Sequence, residues 1–162
     1  MAEQKTNVMR VLEQKKIPYT PHQYPCPDGA VDGVEVARLL GQNPDTVFKT
    51  LVTRGAGKGY YVFVVPVART LDLKAAARAV GEKSIAMIRQ AELLPLTGYV
   101  HGGCSPIGMK KLFPTVLDQS AQELETMVVS GGRIGTQVEL SPGDLAACTG
   151  ARFAPVSRAE QE

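Results

Sequence analysis

The stretch "DTVFKTLVTRGAGKGYYVFVVPV", residues 45–67, decides how the chain folds. Two runs rich in β-branched and aromatic residues flank a glycine-rich turn. They predict a strand over 46–54, a turn at GAGKG and a second strand over 60–67. Neither run alternates cleanly between apolar and polar. Val47 and Leu51 fall on one strand face with Lys49, while Phe48 and Val52 take the other. Strands apolar on both faces belong in a sheet covered on both sides or curled into a barrel-like form. Lys49 is the anomaly in that setting, because lysine is almost never fully buried unless paired. Either its stem lines the sheet while its head snorkels to an edge, or it offers its charge to a ligand in a polar pocket. Both readings stand at this point.

Outward from the hairpin, the signals alternate between strand and short helix. "TNVMRVLEQKK" (6–16) predicts an amphipathic helix with Thr6 as its cap and Val8, Val11 and Leu12 on one stripe. "IPYTPHQY" is too rich in proline for a helix interior and reads as an edge strand. "CPDGAVDG" is a turn-rich loop. "VEVARLLGQNPD" reads as a helix stopped by Gly41. A helix is expected over "DLKAAARAVG", ended by Gly81, and a helical turn over "RQAELL". "TGYVHGGCSPIG" reads as a strand entering a glycine-rich loop, "PTVLDQS" as a strand, and "TMVVSGGRIGTQVEL" as strand, glycine turn, strand. "SPGDLAACTG" opens with helix-start chemistry: Ser141 as cap, Pro142 at the first helical position and Asp144 in the capping-box position. The class is α/β or α+β, a mixed, barrel-like sheet flanked by short helices. One domain over 1–162 is expected, with a frayed tail at about 156–162.

Composition narrows the function. At 44% hydrophobic the 162 residues can bury a core, and a net charge of +2 is far from a protein that grips nucleic acid by bulk electrostatics alone. A local basic patch is still allowed, with Arg69, Lys74, Arg78, Lys110 and Lys111 as scattered candidates against a plain solvated surface. Cys26, Cys104 and Cys148 are odd in number and widely spaced, which argues against a disulfide framework or a zinc site and for a reducing, cytoplasmic setting. "MAEQKTNVMRVLEQ" lacks the apolar core of a secretory signal, and no apolar run reaches membrane-spanning length.

Two glycine loops are candidate chemistry. In "GGCSPIG" (102–108), glycines let the backbone approach a ligand and aim N–H groups at an oxygen; an ordinary tight connection has the same composition. "VSGGRIG" (129–135) matches neither a dinucleotide fingerprint nor a P-loop, and as pattern alone it favours a Gly-Gly hairpin. Ser130 could still donate a hydrogen bond there. Cys104 invites the role of nucleophile, but a free cysteine is more often a small apolar filler. His101 is a candidate acid–base group with no triad motif to support it, and His22 has no metal-ligand spacing with any cysteine.

The order and spacing of "TNVMRVLE", "NPDTVFKTLV", "LDLKAAARAVG", "TGYVHGGCSPIG" with "KKLFPTVLD", and "VSGGRIGTQVELSPGDLA" resemble the YbaK-type Cys-tRNA(Pro) deacylases. These are relatives of the editing domain associated with bacterial prolyl-tRNA synthetases, and the resemblance spans about residues 5–155. It implies the fold of that editing domain, with a pocket near the lysine of the VFKTL strand, here Lys49. The GxxxP loop of the family matches Gly102 to Pro106, taking in Gly103 and Ser105, and the serine of its VSGG segment matches Ser130, followed by Gly131. Lys49, Gly102 and Ser130 are thereby implied as the catalytic set. Thr50 and Val31 are implied at the same pocket. Gln137 stands where relatives can carry an acidic residue, and Cys104 where they are apolar. The implied activity is trans-editing of mischarged Cys-tRNA(Pro), with Cys-tRNA(Cys) as a second candidate substrate, without metal or cofactor, in a transient ternary complex with prolyl-tRNA synthetase and tRNA. Three other readings remain: an Ala-tRNA(Pro) deacylase that uses water, a non-catalytic tRNA- or nucleotide-binding module, and a hydrolase using Cys104.

Overall fold

The structure is a computed structural model and describes residues 5–159. Helix α1 (Asn7–Gln14) begins where Thr6 Oγ1 accepts from Met9 N at 3.2 Å, and it buries Val8, Met9 and Leu12. Strand β1 (Thr20–Gln23) is an edge strand, as its Pro21 requires. Helix α2 (Gly33–Leu40) is capped by the Asp32 carboxylate and stopped by Gly41, whose φ is 65°. A 3₁₀ turn at Pro44–Thr46 leads into β2 (Phe48–Gly55) and β3 (Tyr60–Pro66), the hairpin expected from the sequence. Strand β4 (Arg69–Leu71), α3 (Leu73–Val80), β5 (Ile85–Met87) and α4 (Gln90–Thr97) follow. The chain ends in β6 (Thr115–Asp118), β7 (Met127–Ser130), β8 (Thr136–Leu140), α5 (Pro142–Thr149), β9 (Arg152–Ala154) and β10 (Ser157–Ala159).

The class is mixed α+β. Five strands lie in the order β5-β2-β3-β6-β9, with β3, β6 and β9 parallel and the other pairs antiparallel. A second sheet runs β1-β8-β7, and β10 pairs with β4 in a third. The larger two sheets meet at a parallel bridge between Val47 and Val128, and among the described residues they do not close into a barrel.

Burial accounts for the unbroken apolar runs. Val62 and Val64 of β3 pack with Phe48 and Val52 against α1 and α5, in one core. Phe63 and Val65 point the other way, against Ala76 and Ala77 of α3, Leu71 and Val156. Both faces of the central hairpin are therefore covered, and period-two polarity has no reason to appear.

Three expectations are corrected. Residues 97–100 form no strand: Tyr99 is buried because its loop folds inward, where Thr97 Oγ1 accepts from Tyr99 N at 3.0 Å. The helical turn at "RQAELL" continues through Pro95 to Thr97. The tail is not frayed over 156–159. Val156 is fully buried, Asp118 Oδ1 accepts from Val156 N and Ser157 N, and β10 pairs with β4; residues 160–162 lie outside the described residues, as do residues 1–4 of the N-terminal stretch.

Candidate active site

Strand β2 is flanked unevenly. Its edge toward β3 is paired along its length. On the other edge, the bridge to Val128 holds Val47, and pairing with β5 begins only at Thr53. Residues 49–51 therefore face a gap between the two sheets. Ile88 N donates to Val52 O on this edge at 3.4 Å. Alternation of peptide direction then sends the N–H and C=O of Thr50 into the same gap.

A cavity of about 410 Å³ opens there. That volume lies within the range of small-molecule sites. Lys49, Thr50, Val31, Gly102 and Ser130 all line it, although they come from segments far apart in sequence. Lys49 is half-buried, with its strand neighbour Leu51 packed toward α3. Lys49 thus lines a cavity from within a covered sheet, which accounts for a lysine in that run. Thr50 Oγ1, on the opposite face, is sealed from solvent and has no hydrogen-bond partner. A buried hydroxyl left unpaired is costly unless something else satisfies it.

Gly102 begins a loop that only glycine permits. Its φ is +89°, and an added Cβ would sit 2.6 Å from Ala30 Cβ. At Gly103 a Cβ would come within 2.9 Å of Arg133 Cα and Ile134 N. The two glycine loops of the sequence are thus packed backbone against backbone. Internal bonds hold the first loop: Gly103 N donates to Val100 O (3.0 Å), Ile107 N to Ser105 Oγ (3.2 Å), and the Tyr99 hydroxyl to Ile107 O. Gly102 N–H has no such engagement among the described residues. Gly103, Ser105, Pro106 and Gly131 are buried and do not line the cavity. The segment "VSGGRIG" forms the turn of the β7–β8 hairpin, and its Ser130 lines the cavity. Ser130 Oγ accepts from Gly132 N at 3.2 Å, so its own proton remains available to donate into the cavity.

Cys104 lines the cavity but is 9% exposed, and burial pushes its thiol up to about 12. Burial thus favours the neutral thiol over the thiolate that a nucleophile needs. His101 is exposed at the rim. His22 lies elsewhere, 2.7 Å from Glu139 Oε1. Gln137 lines the cavity and is held by a reciprocal amide pair with Gln42, at 2.9 Å for Gln42 Nε2 to Gln137 Oε1. Among the described residues, no three His, Cys, Asp or Glu side chains gather so as to hold a metal ion. Among the described residues, no helix is long and apolar enough to cross a membrane.

Sequence reasoning missed several lining residues. Asp32 was hidden in a segment that reads as a turn-rich loop, although an acidic residue two before a helical run is a cap signal. Tyr24, Val67, Leu93 and Thr136 carry no local signal, since only the tertiary fold brings them here.

Residues 29–148 match the family model of the aminoacyl-tRNA editing domain. An Enterococcus faecalis protein named "Putative Cys-tRNA(Pro)/Cys-tRNA(Cys) deacylase EbsC" is 42% identical over 158 residues, covering 98% of this chain and 96% of the relative. The solved structure described as "a putative trans-editing enzyme for prolyl tRNA synthetase" superposes with a TM-score of 0.80 at 26% identity, over 96% of this chain and all of the other. That of hypothetical protein APE2540 gives a TM-score of 0.84 at 26% identity, over 93% of this chain and 99% of the other.

Proposed function

We propose that this chain, which belongs to the aminoacyl-tRNA editing domain family, is a trans-editing deacylase that clears cysteine mistakenly esterified to tRNA(Pro). The observation that carries the reading is the convergence of Lys49, Gly102 and Ser130, from three separated segments, on one cavity beside an open strand edge. Cysteine and proline are close in volume, so a synthetase pocket discriminates between them poorly and a second hydrolytic sieve is useful.

The ester on the terminal ribose is already activated, and the substrate carries its own nucleophile. In the proposed route the cysteinyl sulfur attacks its own carbonyl carbon. The C–S bond forms, the bond from that carbon to the ribose oxygen breaks, and the thiol proton ends on the ribose hydroxyl. The cyclic thiolactone then hydrolyses in water. The protein's task is position and electrostatics. The Lys49 ammonium stabilises negative charge developing at the ester. Gly102 N–H, uncommitted within its loop, donates to the carbonyl oxygen. Ser130 donates its hydroxyl proton to orient the aminoacyl group, and the open-edge peptide of Thr50 offers it a further donor and acceptor. The buried Cys104 thiol takes no part.

The substrate places the enzyme in the cytoplasm with tRNA and prolyl-tRNA synthetase, acting as one domain in a transient complex with both. A deacylation panel with Cys-, Ser- and Ala-tRNA(Pro) tests the reading. Cys-tRNA(Pro) is cleaved and Ser-tRNA(Pro), which has no thiol, is spared. Equal cleavage of the serine ester would contradict substrate assistance, and faster cleavage of the alanine ester would assign a different substrate.

A further inference from the structure

A second cavity, of about 620 Å³, adjoins the first. Lys49 and Leu51 line both, so the two meet at the residues that face the sheet gap. The second lies on the α3 side of the hairpin, between β4, the start of α3 and Arg158 of β10.

Its lining is cationic. Lys49, Lys74 and Arg158 border it, against one carboxylate among the described residues, that of Asp72. Asp72 is already engaged, since its Oδ1 accepts from Ala75 N at 3.0 Å as the cap of α3. Lys74 and Arg158 are exposed and form no ion pair among the described residues. Leu73 and Met87, 43% and 47% exposed, supply apolar surface beside these charges. Cations beside exposed apolar surface suit a nucleotide, which brings a phosphate and a flat, largely apolar base face.

We propose that this second cavity seats the nucleotide preceding the terminal adenosine of the aminoacyl-tRNA: Lys74 and Arg158 hold the phosphates on either side of it, and Leu73 and Met87 cover its base. The proposal rests on the reading of the first cavity as the site of the aminoacyl ester. Lys49 then stands at the junction, where the ester-bearing ribose meets the incoming strand. The chain's low net charge fits a short contact of this kind, limited to the last nucleotides of the acceptor end.

The test compares the wild type with Lys74→Ala/Arg158→Ala and with each single variant, all checked by circular dichroism melts. Binding of a cytidyl-cytidyl-adenosine trinucleotide is titrated by fluorescence anisotropy over a range of salt. The double variant binds it roughly tenfold more weakly, with a log–log salt slope shallower by about 1.4, from roughly 0.7 per phosphate contact on a single strand. Its ratio of kcat/KM for Cys-tRNA(Pro) over cysteinyl-adenosine, which lacks the preceding nucleotide, also falls roughly tenfold. Wild-type trinucleotide affinity in the double variant, an unchanged salt slope, or an unchanged ratio would overturn the proposal. If the wild type cleaves neither ester, the deacylase reading has failed, and the trinucleotide titration decides the second cavity by itself.

Discussion

Two residues of the glycine loop separate structure from chemistry. Cys104 is buried among Tyr99, Ile107 and the α1 side chains, with its thiol pushed up to about 12. Cys104→Ala therefore keeps deacylation near the wild-type rate and costs about 1 kcal/mol of stability through lost burial. Iodoacetamide at pH 8 alkylates the wild-type thiol only slowly unless the protein is unfolded. Rapid loss of activity on alkylation, traced to Cys104 by peptide mapping, would revive the cysteine-hydrolase reading. Gly102 behaves in the opposite way. Its φ of +89° and the approach of Ala30 leave no room for a methyl group. Gly102→Ala is expected to destabilise by roughly 1–3 kcal/mol, read from urea denaturation, and to slow deacylation well beyond that loss because its N–H is re-aimed.

Helix α2 is the element that connects capping to the site. Asp32 accepts from Val34 N at 3.2 Å and also lines the cavity, as do Gly33 and Val36. Asp32→Ala should cost about 1 kcal/mol in a thermal melt and raise KM more than it lowers kcat, because α2 forms a wall and does not touch the reacting bond. An unaltered KM would detach this helix from substrate binding. The β1–β8 pair carries a pH signature. Glu139 is held below the usual carboxylate range, chiefly by the Thr126 hydroxyl and then by His22. A carboxylate with a depressed folded pKa stabilises above its unfolded value near 4.5 and loses that contribution as pH falls through the folded value. The stability gap between wild type and Glu139→Gln therefore closes as pH falls below about 4.5; a gap constant down to pH 3 would remove the pairing from the account. Legibility follows the same lines. Helices α1 and α5 and the β2–β3 hairpin could be read in advance because caps, glycine stops and β-branched runs lie within the segment itself. Strands β4, β5, β9 and β10 are three residues each, too short for any period to register. Lys49 was legible because it contradicts its own strand. Ser105 and Pro106 matched a motif yet are buried within the loop and do not line the cavity, a distinction that spacing cannot carry.

At the scale of the molecule, the two larger sheets diverge from β2, and the cavity exists because residues 49–51 have no strand neighbour on that side. A net charge of +2 gives little bulk attraction to a polyanion, and the proposed function accordingly has tRNA identity read in company with the synthetase. Sedimentation of tRNA(Pro) with this chain is expected to need prolyl-tRNA synthetase, and tight binding of tRNA(Pro) in its absence would contradict a shared complex. The account turns on the positive charge at the sheet gap. Single-turnover release of cysteine from Cys-tRNA(Pro), compared between the wild type and Lys49→Ala, tests it most directly. Loss of one such electrostatic contact is worth about 2.7–4 kcal/mol, so the variant should be slower by roughly 10²–10³ with an unchanged melt, whereas wild-type release in a folded Lys49→Ala protein would contradict it.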